Sequence, residues 1–549
     1  MTQSSVQGDG TLQRVRHRHG AGHQGEGGAQ EGDGGGRGGG RRGRRPRRKH
    51  RVLRWSATTV AVLILGTAGA GYLYYQHLNG NIQKGQRSSG DSKAKKAEPN
   101  AAGQTPLNIL LIGSDSRNSD ENVKLGGSRD SRGTPPRGDV QMLIHLAADR
   151  KSAAVVSIPR DTRVDIPECT DPATDRRYPA TNDIINASLA RGGAGCTLAT
   201  WENLTGIYID HWMTIDFAGV VRMADAIGGV EVCVNQNVWD RPLPGVPGGS
   251  GLKMKAGTRK VEGEQALQWL RTRHAWGSDL LRARAQHMYM NSMIRTLRQQ
   301  NVFTDSGRLT DLAEAATKSL KVSEEIGTVK KLYHLGMQLK TVPTDRITMT
   351  TLPTVEDPQD RNHLVADGAR AEKVWEMLRD DVPFDDNGKD DDSGAKKKTS
   401  GEEKTSADPA AADDEIGVLV QNATQTSTLA PVGGRAGVIA QALVAKGFTK
   451  ATKDTSAPLA VDRTVVRYPS AELEGDAQAV AKALGIPAGS VKRSTDVSGV
   501  TVVVGADWRT GTAYPKQSAP KAGDLPGNAD ALNGSDTGKC MNVYAPYRW

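Results

Sequence analysis

Cysteine is scarce in this chain: four residues in 549, at 169, 196, 233 and 540. No Cys-x-x-Cys pair or histidine cluster accompanies them, which excludes a structural zinc site. Internal repeats are absent, so a solenoid is excluded. There is no helix-turn-helix pattern or base-reading motif, which removes the usual grounds for sequence-specific DNA binding. No Ser/His/Asp constellation stands out, so serine-nucleophile chemistry has no footing. Apolar side chains are few in residues 1–54, which consist largely of Gly, Arg, His, Gln and Ser and peak in the basic run RRGRRPRRK. Such a composition buries no core and reads as a disordered tail.

A long apolar run occurs once. Residues 55–75 carry no charge and include VAVLIL; about 20 such residues cross a bilayer as a helix. Arg51 and Arg54 precede the run, and Trp55, Tyr72, Tyr74 and Tyr75 suit its two interfaces. Its depth in the chain argues against a cleaved signal peptide. The expected arrangement is a single-pass cell-membrane protein spanning over 55–76, with the N-terminus cytoplasmic and the rest extracellular. The net charge of +10 is concentrated in the tail and then serves topology and lipid contact, with nucleic acid the lesser candidate partner. The cysteines would lie in an oxidising exterior. Three pairings are open, and Cys169–Cys196, flanking a loop and a helix, is the first choice; the partners of Cys233 and Cys540 stay open.

After a polar linker over 77–105, apolar runs of strand length at 107–112, 140–146 and 153–158 alternate with helical patterns. Helices are expected at 182–190, 196–204, 216–227, 263–271, 280–297, 309–339 and 369–378, with strands at 208–215 and 230–234. Alternation of this kind predicts a layered α/β domain over 106–384. A charged linker (385–414), a small α/β domain (415–508) and a disordered tail (509–549) follow.

Acidic-basic runs sit at the ends of these strands. They are LLIGSDSR with Asp115, RGDVQML with Arg137 and Asp139, and SIPRDTRV with Arg160. Further on come Arg271-Thr272-Arg273-His274, then Asp279, Arg282 and Gln286. Guanidinium groups left unpaired in a cleft are costly, and their planar forks match phosphate oxygens two at a time. A diphosphate is therefore the natural ligand.

These runs, with INASLARGG, YIDHWMTIDFAGV, DAIGGVEVCV and GEQALQWLRTRHAWGSDLLRARAQ, resemble in order the catalytic domain of the LytR–CpsA–Psr family of envelope glycopolymer transferases. VLVQNAT and GVTVVVGADW resemble the small C-terminal domain many members carry. The resemblance implies a central mixed sheet flanked by helices. It also implies transfer of an anionic glycopolymer from an undecaprenyl-diphosphate donor to peptidoglycan through a phosphodiester.

By the same resemblance Arg160, Arg271, Arg273, Arg282, Gln286 and Arg137 bind the diphosphate, and Asp115 and Asp139 hold Mg2+ or, in its place, Mn2+. Asp115, Arg271 and Arg273 take part in catalysis, Asp115 as base. Two departures stand out: Gly138 and Val140 replace the usual Ser and Thr around Asp139, and Ala285 stands where a second arginine is common. The residue-level alternatives are ordinary. Asp115 reads also as a turn residue, the arginines as partners of nearby acids, His274 as structural and Arg284 as pointing away. Residues 117–136 read as a flap. Leu280, Leu281, Met288, Met293, Ile294 and Leu297 are candidates for a lipid slot and equally for plain core. A non-catalytic binding or regulatory protein and a polyprenyl-diphosphate hydrolase are the competing readings.

Overall fold

The computed structural model describes residues 48–92, 94–100, 102–126, 132–300, 305–387, 409–425, 430–456, 459, 461, 463–494, 496–515, 520–527 and 529–549. Residues 1–47 of the basic tail, 388–408 of the charged linker and 127–131 of the expected flap lie outside them. Helix α1 (Arg48–Asn81) contains the apolar run, and its segment Leu53–Asn81 is long and apolar enough to cross a membrane.

The sheet that organises the large domain has eight strands: β1 (Gln83–Gly85), β2 (Leu107–Ser114), β3 (Gly138–Leu146), β4 (Ala153–Ser157), β5 (His211–Ile215), β6 (Leu320–Ser323), β7 (Ile347–Thr351) and β8 (Leu532–Asn533). Their spatial order is β1-β6-β5-β2-β3-β4-β7-β8. Parallel pairs (β1–β6, β5–β2, β4–β7) are interspersed with antiparallel ones, so the sheet is mixed as expected. Every residue of β4 and β7 is buried, the pattern of strands covered on both faces. Helices α2 (Ser188–Thr205), α3 (Phe217–Ile227), α4 (Gly263–Arg271), α5 (Asp279–Gln299), α6 (Ser306–Ser319), α7 (Val329–Thr341) and α8 (Gly368–Arg379) pack around it.

Two stretches differ from the expected elements. The helix anticipated at 309–339 is two helices with β6 between them: the chain leaves the first helix after Ser319 because residues 320–322 pair with β5. The helix anticipated at 182–190 is strand Thr181–Ile184, a 3-10 turn and the start of α2. Both are tertiary pairings overriding local propensity.

The residues expected as a linker after the membrane run are laid onto the domain. Gln83 to Gly85 pair with β6, Arg87 bonds Glu202 at 2.8 Å and the Ile209 carbonyl at 2.7 Å, and Lys96 pairs with Asp210 at 2.7 Å. Within α1, Leu78 is buried and the Asn79 carboxamide caps α7 by accepting from the Val329 amide at 3.0 Å. Backbone pairing and ion pairs thus take up the slack, and residues 82–90 supply no reach.

The tail expected as disordered over 509–549 is also structured where described. Strand β8 extends the main sheet, Met541 exchanges backbone bonds with Cys233 and Asn235 at 2.9 Å, and Met541, Val543 and Tyr547 enter a core with Trp269, Ala275 and Trp276. A disulfide joins Cys233 to Cys540, and another joins Cys169 to Cys196. Pro, Gly and Asn in this stretch hid its few apolar anchors from a reading based on composition. The small domain has a five-stranded sheet, helices Arg435–Val444 and Glu474–Leu484, and a core of its own. Its Arg463 pairs with Glu372 and Glu376 of α8 at 3.3 and 2.7 Å.

Candidate active site

The strand ends and helix starts of the large domain meet at one cavity of about 690 Å³. Arg160, Arg271, Arg273 and Arg282, drawn from distant parts of the sequence, all line it, with Arg117, Asp139, His274 and Gln286.

Local chemistry explains how each arrives. Helix α4 stops at Arg271 because Thr272 turns extended and is fully buried, its hydroxyl bonded to the Gln268 carbonyl at 2.7 Å and to Ser250 at 2.6 Å. Side chains alternate along extended backbone, so an inward Thr272 sends Arg271 and Arg273 to the cavity side. The turn that follows is held by Asp240, which accepts from the Ala275 amide at 3.2 Å and the Ser250 amide at 2.7 Å. Ser278 then caps α5 by accepting from the Leu281 amide at 3.2 Å. Arg282 and Gln286, one helical turn apart, share the inward face of α5.

The charges are interlocked. Arg282 pairs with Asp279 at 2.7 Å, and Arg160 bonds Asp139 at 3.1 Å while lying 3.5 and 3.9 Å from Asp161 and Asp279. Burial weakens the Arg160 cation, yet Asp139, Asp279 and Asp161 outweigh it and hold its pKa above the ordinary value. Arg282 and Arg271 go the other way. Burial pushes both down; Arg160 repels the first and Arg117 the second. Two desolvated cations short of countercharge are an electrostatic demand for an anion. The Nε atoms of Arg117 and Arg160 are moreover buried without a hydrogen-bond acceptor.

Arg271 is aimed by a fixed frame. Its guanidinium donates to the Leu125 carbonyl at 2.9 Å and the Gly126 carbonyl at 3.4 Å, and it lies 4.6 Å over the Phe217 ring. Gly126 has φ +118, and a β-carbon there would strike the Arg271 guanidinium. The segment read as a flap is thus a wall where it is described. Its short helix Asp120–Lys124 is pinned by buried Asn122, which bonds Asp216 and the Ala218 amide, both at 2.8 Å.

Asp115 and Arg137 do not line the cavity. Asp115 accepts from the Arg137 amide at 2.6 Å and lies 3.8 Å from Arg117, while the Arg137 side chain reaches Asn186 at 3.4 Å. Gln286 lines the cavity and donates to the Leu270 carbonyl at 3.0 Å. Arg284 turns away and pairs with Asp530. Sequence reasoning passed over Arg117, Phe217 and Gly126; only Arg117, closing the LLIGSDSR run, carried a signal.

Both carboxylates named for a metal act electrostatically on Arg271, which places them in one neighbourhood. No cluster of three or more His, Cys, Asp or Glu forms a metal cage among the described residues. Two hard oxygen donors are the ligand type that Mg2+ takes.

The cavity continues from the arginines into apolar surface. Met213, Ile215, Val220, Met223, Met290, Met293 and Leu320 line it. Of the six slot candidates only Met293 belongs; Leu280 and Leu281 are exposed, and Met288, Ile294 and Leu297 pack into core. Leu320 sits beside Lys321, which pairs with Gln83 just past the end of α1. The apolar end therefore lies near Gln83, the residue pairing with Lys321.

A model of the LytR_cpsA_psr family matches residues 72–380, and one described as LytR cell envelope-related transcriptional attenuator matches 415–508. The cell wall biosynthesis protein LcpA of Corynebacterium glutamicum is 30% identical over 329 residues, covering 55% of this chain and 60% of the relative. The polyisoprenyl-teichoic acid–peptidoglycan teichoic acid transferase TagU of Enterococcus faecalis is 28% identical over 215 residues, covering 39% and 60%. The corresponding transferase TagT of Bacillus subtilis is 25% identical over 307 residues, covering 55% and 88%. The alignments thus span 60% of the length of both LcpA and TagU. Among solved structures, a LytR-Csp2A-Psr enzyme from Actinomyces oris aligns with TM-score 0.41 at 16% identity, over 54% of this chain and 95% of that one.

Proposed function

The chain belongs to the LytR–CpsA–Psr family, and on that premise we propose that it is a membrane-anchored phosphotransferase. It takes an anionic glycopolymer from a polyprenyl-diphosphate donor and joins it to a peptidoglycan hydroxyl. The observation that carries this is the convergence of Arg160, Arg271, Arg273 and Arg282 on a cavity with an apolar continuation. Relatives named as teichoic acid transferases support it.

The arginines hold the diphosphate, and the apolar end takes the first isoprene units beside the membrane. The acceptor oxygen attacks the phosphorus that bears the sugar. A new P–O bond forms, the P–O–P bridge breaks, and polyprenyl monophosphate leaves with its charge held by the arginines. Asp139 is better placed than Asp115 to take the acceptor proton, because it lines the cavity while Asp115 is engaged with the Arg137 amide. When the donor phosphate claims Arg160, Asp139 Oδ1 is released from its 3.1 Å bond and can take the proton, while Oδ2 stays available to a metal. Mg2+, held by Asp139 and Asp115 when bound, would neutralise phosphate charge. The N-terminus lies in the cytoplasm and both folded domains outside, following the basic residues before the apolar run.

The test uses the full chain in vesicles with a lipid diphosphate donor, Mg2+ and peptidoglycan fragments. Charge-assisted bonds contribute about 1.5–3 kcal/mol each, so Arg271→Ala, losing a bidentate contact, should cut transfer roughly 100- to 10,000-fold with circular dichroism unchanged. Asp139→Ala should do at least as much. Intact transfer in both would exclude the clamp. Phosphate release without transfer would make the protein a hydrolase, and tight binding without turnover would make it a regulator.

A further inference from the structure

Outside α1, Trp239, Tyr333, Tyr544 and Trp549 are the exposed aromatic side chains among the described residues. Three of these four gather at one place, the strap of residues 540–549 and the strand it covers. Trp549 donates its indole N–H to the Val238 carbonyl at 2.9 Å, and Lys253 Nζ lies 4.4 Å from the Trp239 ring and 4.9 Å from the Trp549 ring. Arg241 sits 4.8 Å over the Trp239 ring. The Tyr544 amide bonds the Ala275 carbonyl at 2.8 Å.

This patch adjoins the clamp. Asp240, next to Trp239, lines the cavity, as does His274. His274 stacks with Tyr547 at 6.2 Å, and Tyr547 lies 6.4 Å from Tyr544. A row of rings therefore leads from the cavity wall to the surface. The disulfide Cys233–Cys540 pins the strap beside it. The family models end at residue 508, so neither of them covers this segment.

Indole and phenol rings in water offer flat apolar faces with a polar tip. The C–H face of a pyranose ring matches them, and flanking Arg241 and Lys253 complement carboxylates. We propose that Trp239, Tyr544 and Trp549 form a docking platform for the acceptor, a glycan of N-acetylated amino sugars bearing carboxylates, which it presents to the clamp. This rests on the transferase reading for the acceptor's role, though not for the binding itself.

The full chain in detergent is titrated calorimetrically with a soluble peptidoglycan tetrasaccharide carrying its stem peptides, and separately with inorganic pyrophosphate. In Trp239→Ala/Tyr544→Ala the tetrasaccharide dissociation constant should rise about tenfold or more, a stacking loss of roughly 1.4 kcal/mol or more. Pyrophosphate affinity should be unchanged, and Trp239→Tyr/Tyr544→Trp should restore the tetrasaccharide. With the complete reaction, the acceptor KM should rise while kcat at saturating acceptor holds. Unchanged tetrasaccharide binding would overturn the proposal. So would a loss confined to pyrophosphate or to the lipid-linked donor, which would make the strap a buttress or a donor subsite. If wild type binds the tetrasaccharide through these rings yet never transfers, the platform stands and the transferase reading falls.

Discussion

Replacing the Cys233–Cys540 disulfide asks whether the strap belongs to the cooperative structure of the large domain. The paired variant Cys233→Ala/Cys540→Ala opens a loop with a sequence separation of 307, whereas Cys169→Ala/Cys196→Ala opens one of 27. In the chain-entropy account the loss grows with the logarithm of loop length, giving about 5.7 kcal/mol for the first and about 3.5 kcal/mol for the second. The small domain over 415–508 lies inside the longer loop. If it stayed folded in the denatured chain the effective loop would shorten by about a third, and the logarithm would lower the first figure only to about 5.4 kcal/mol. The order therefore survives. Urea unfolding of the full chain, followed by the fluorescence of fully buried Trp269 and nearly buried Trp276, measures it. A strap packed through Met541, Val543 and Tyr547 requires the longer loop to give the larger loss. A loss under about 1 kcal/mol for Cys233→Ala/Cys540→Ala, against the entropic expectation, would refute the integral strap and the platform built on it.

Other expectations are briefer. Burial, aided by the Arg284 cation, pushes His287 down to about 4, so the folded protein resists a proton that the unfolded chain accepts below about 6.5. Its contribution to stability is full above that value and is lost as pH falls towards 4, by about 2 kcal/mol between pH 7 and pH 5; His287→Leu should flatten this part of the denaturation profile. Gly126→Ala should weaken pyrophosphate binding about as much as removing Arg271, since the new methyl occupies the guanidinium's place; equal affinity in calorimetry would refute that geometry. Asp279→Asn breaks the 2.7 Å pair with Arg282, whose side chain is only 10% exposed. Unfolding free energy should fall by about 1–3 kcal/mol, below the loss from a fully buried pair because Asp279 is partly solvated.

Much of the clamp was legible because its residues lie at the ends of apolar runs, where strand periodicity stops and charge begins. Strands β2, β3 and β4 and helices α3, α4 and α5 follow from that local pattern. What escaped was non-local. Strand β6 sits in a helical pattern because its partner β5 lies a hundred residues away in sequence, and the order β1-β6-β5-β2 has no local signature. Residues 82–96 and 540–549 looked like spacers because their anchors are single side chains and backbone bonds, not apolar stripes.

Residue type and spacing alone determined that this chain has a membrane-length helix, a layered α/β domain and a set of arginines suited to diphosphate. Only the tertiary structure decided which carboxylate lines the cavity, what aims Arg271, and that residues 540–549 pack beside the clamp. The reason is physical. Helices and strands are written in short-range periodicity, whereas a guanidinium's partners are whatever groups the folded sheet brings within 3 or 4 Å.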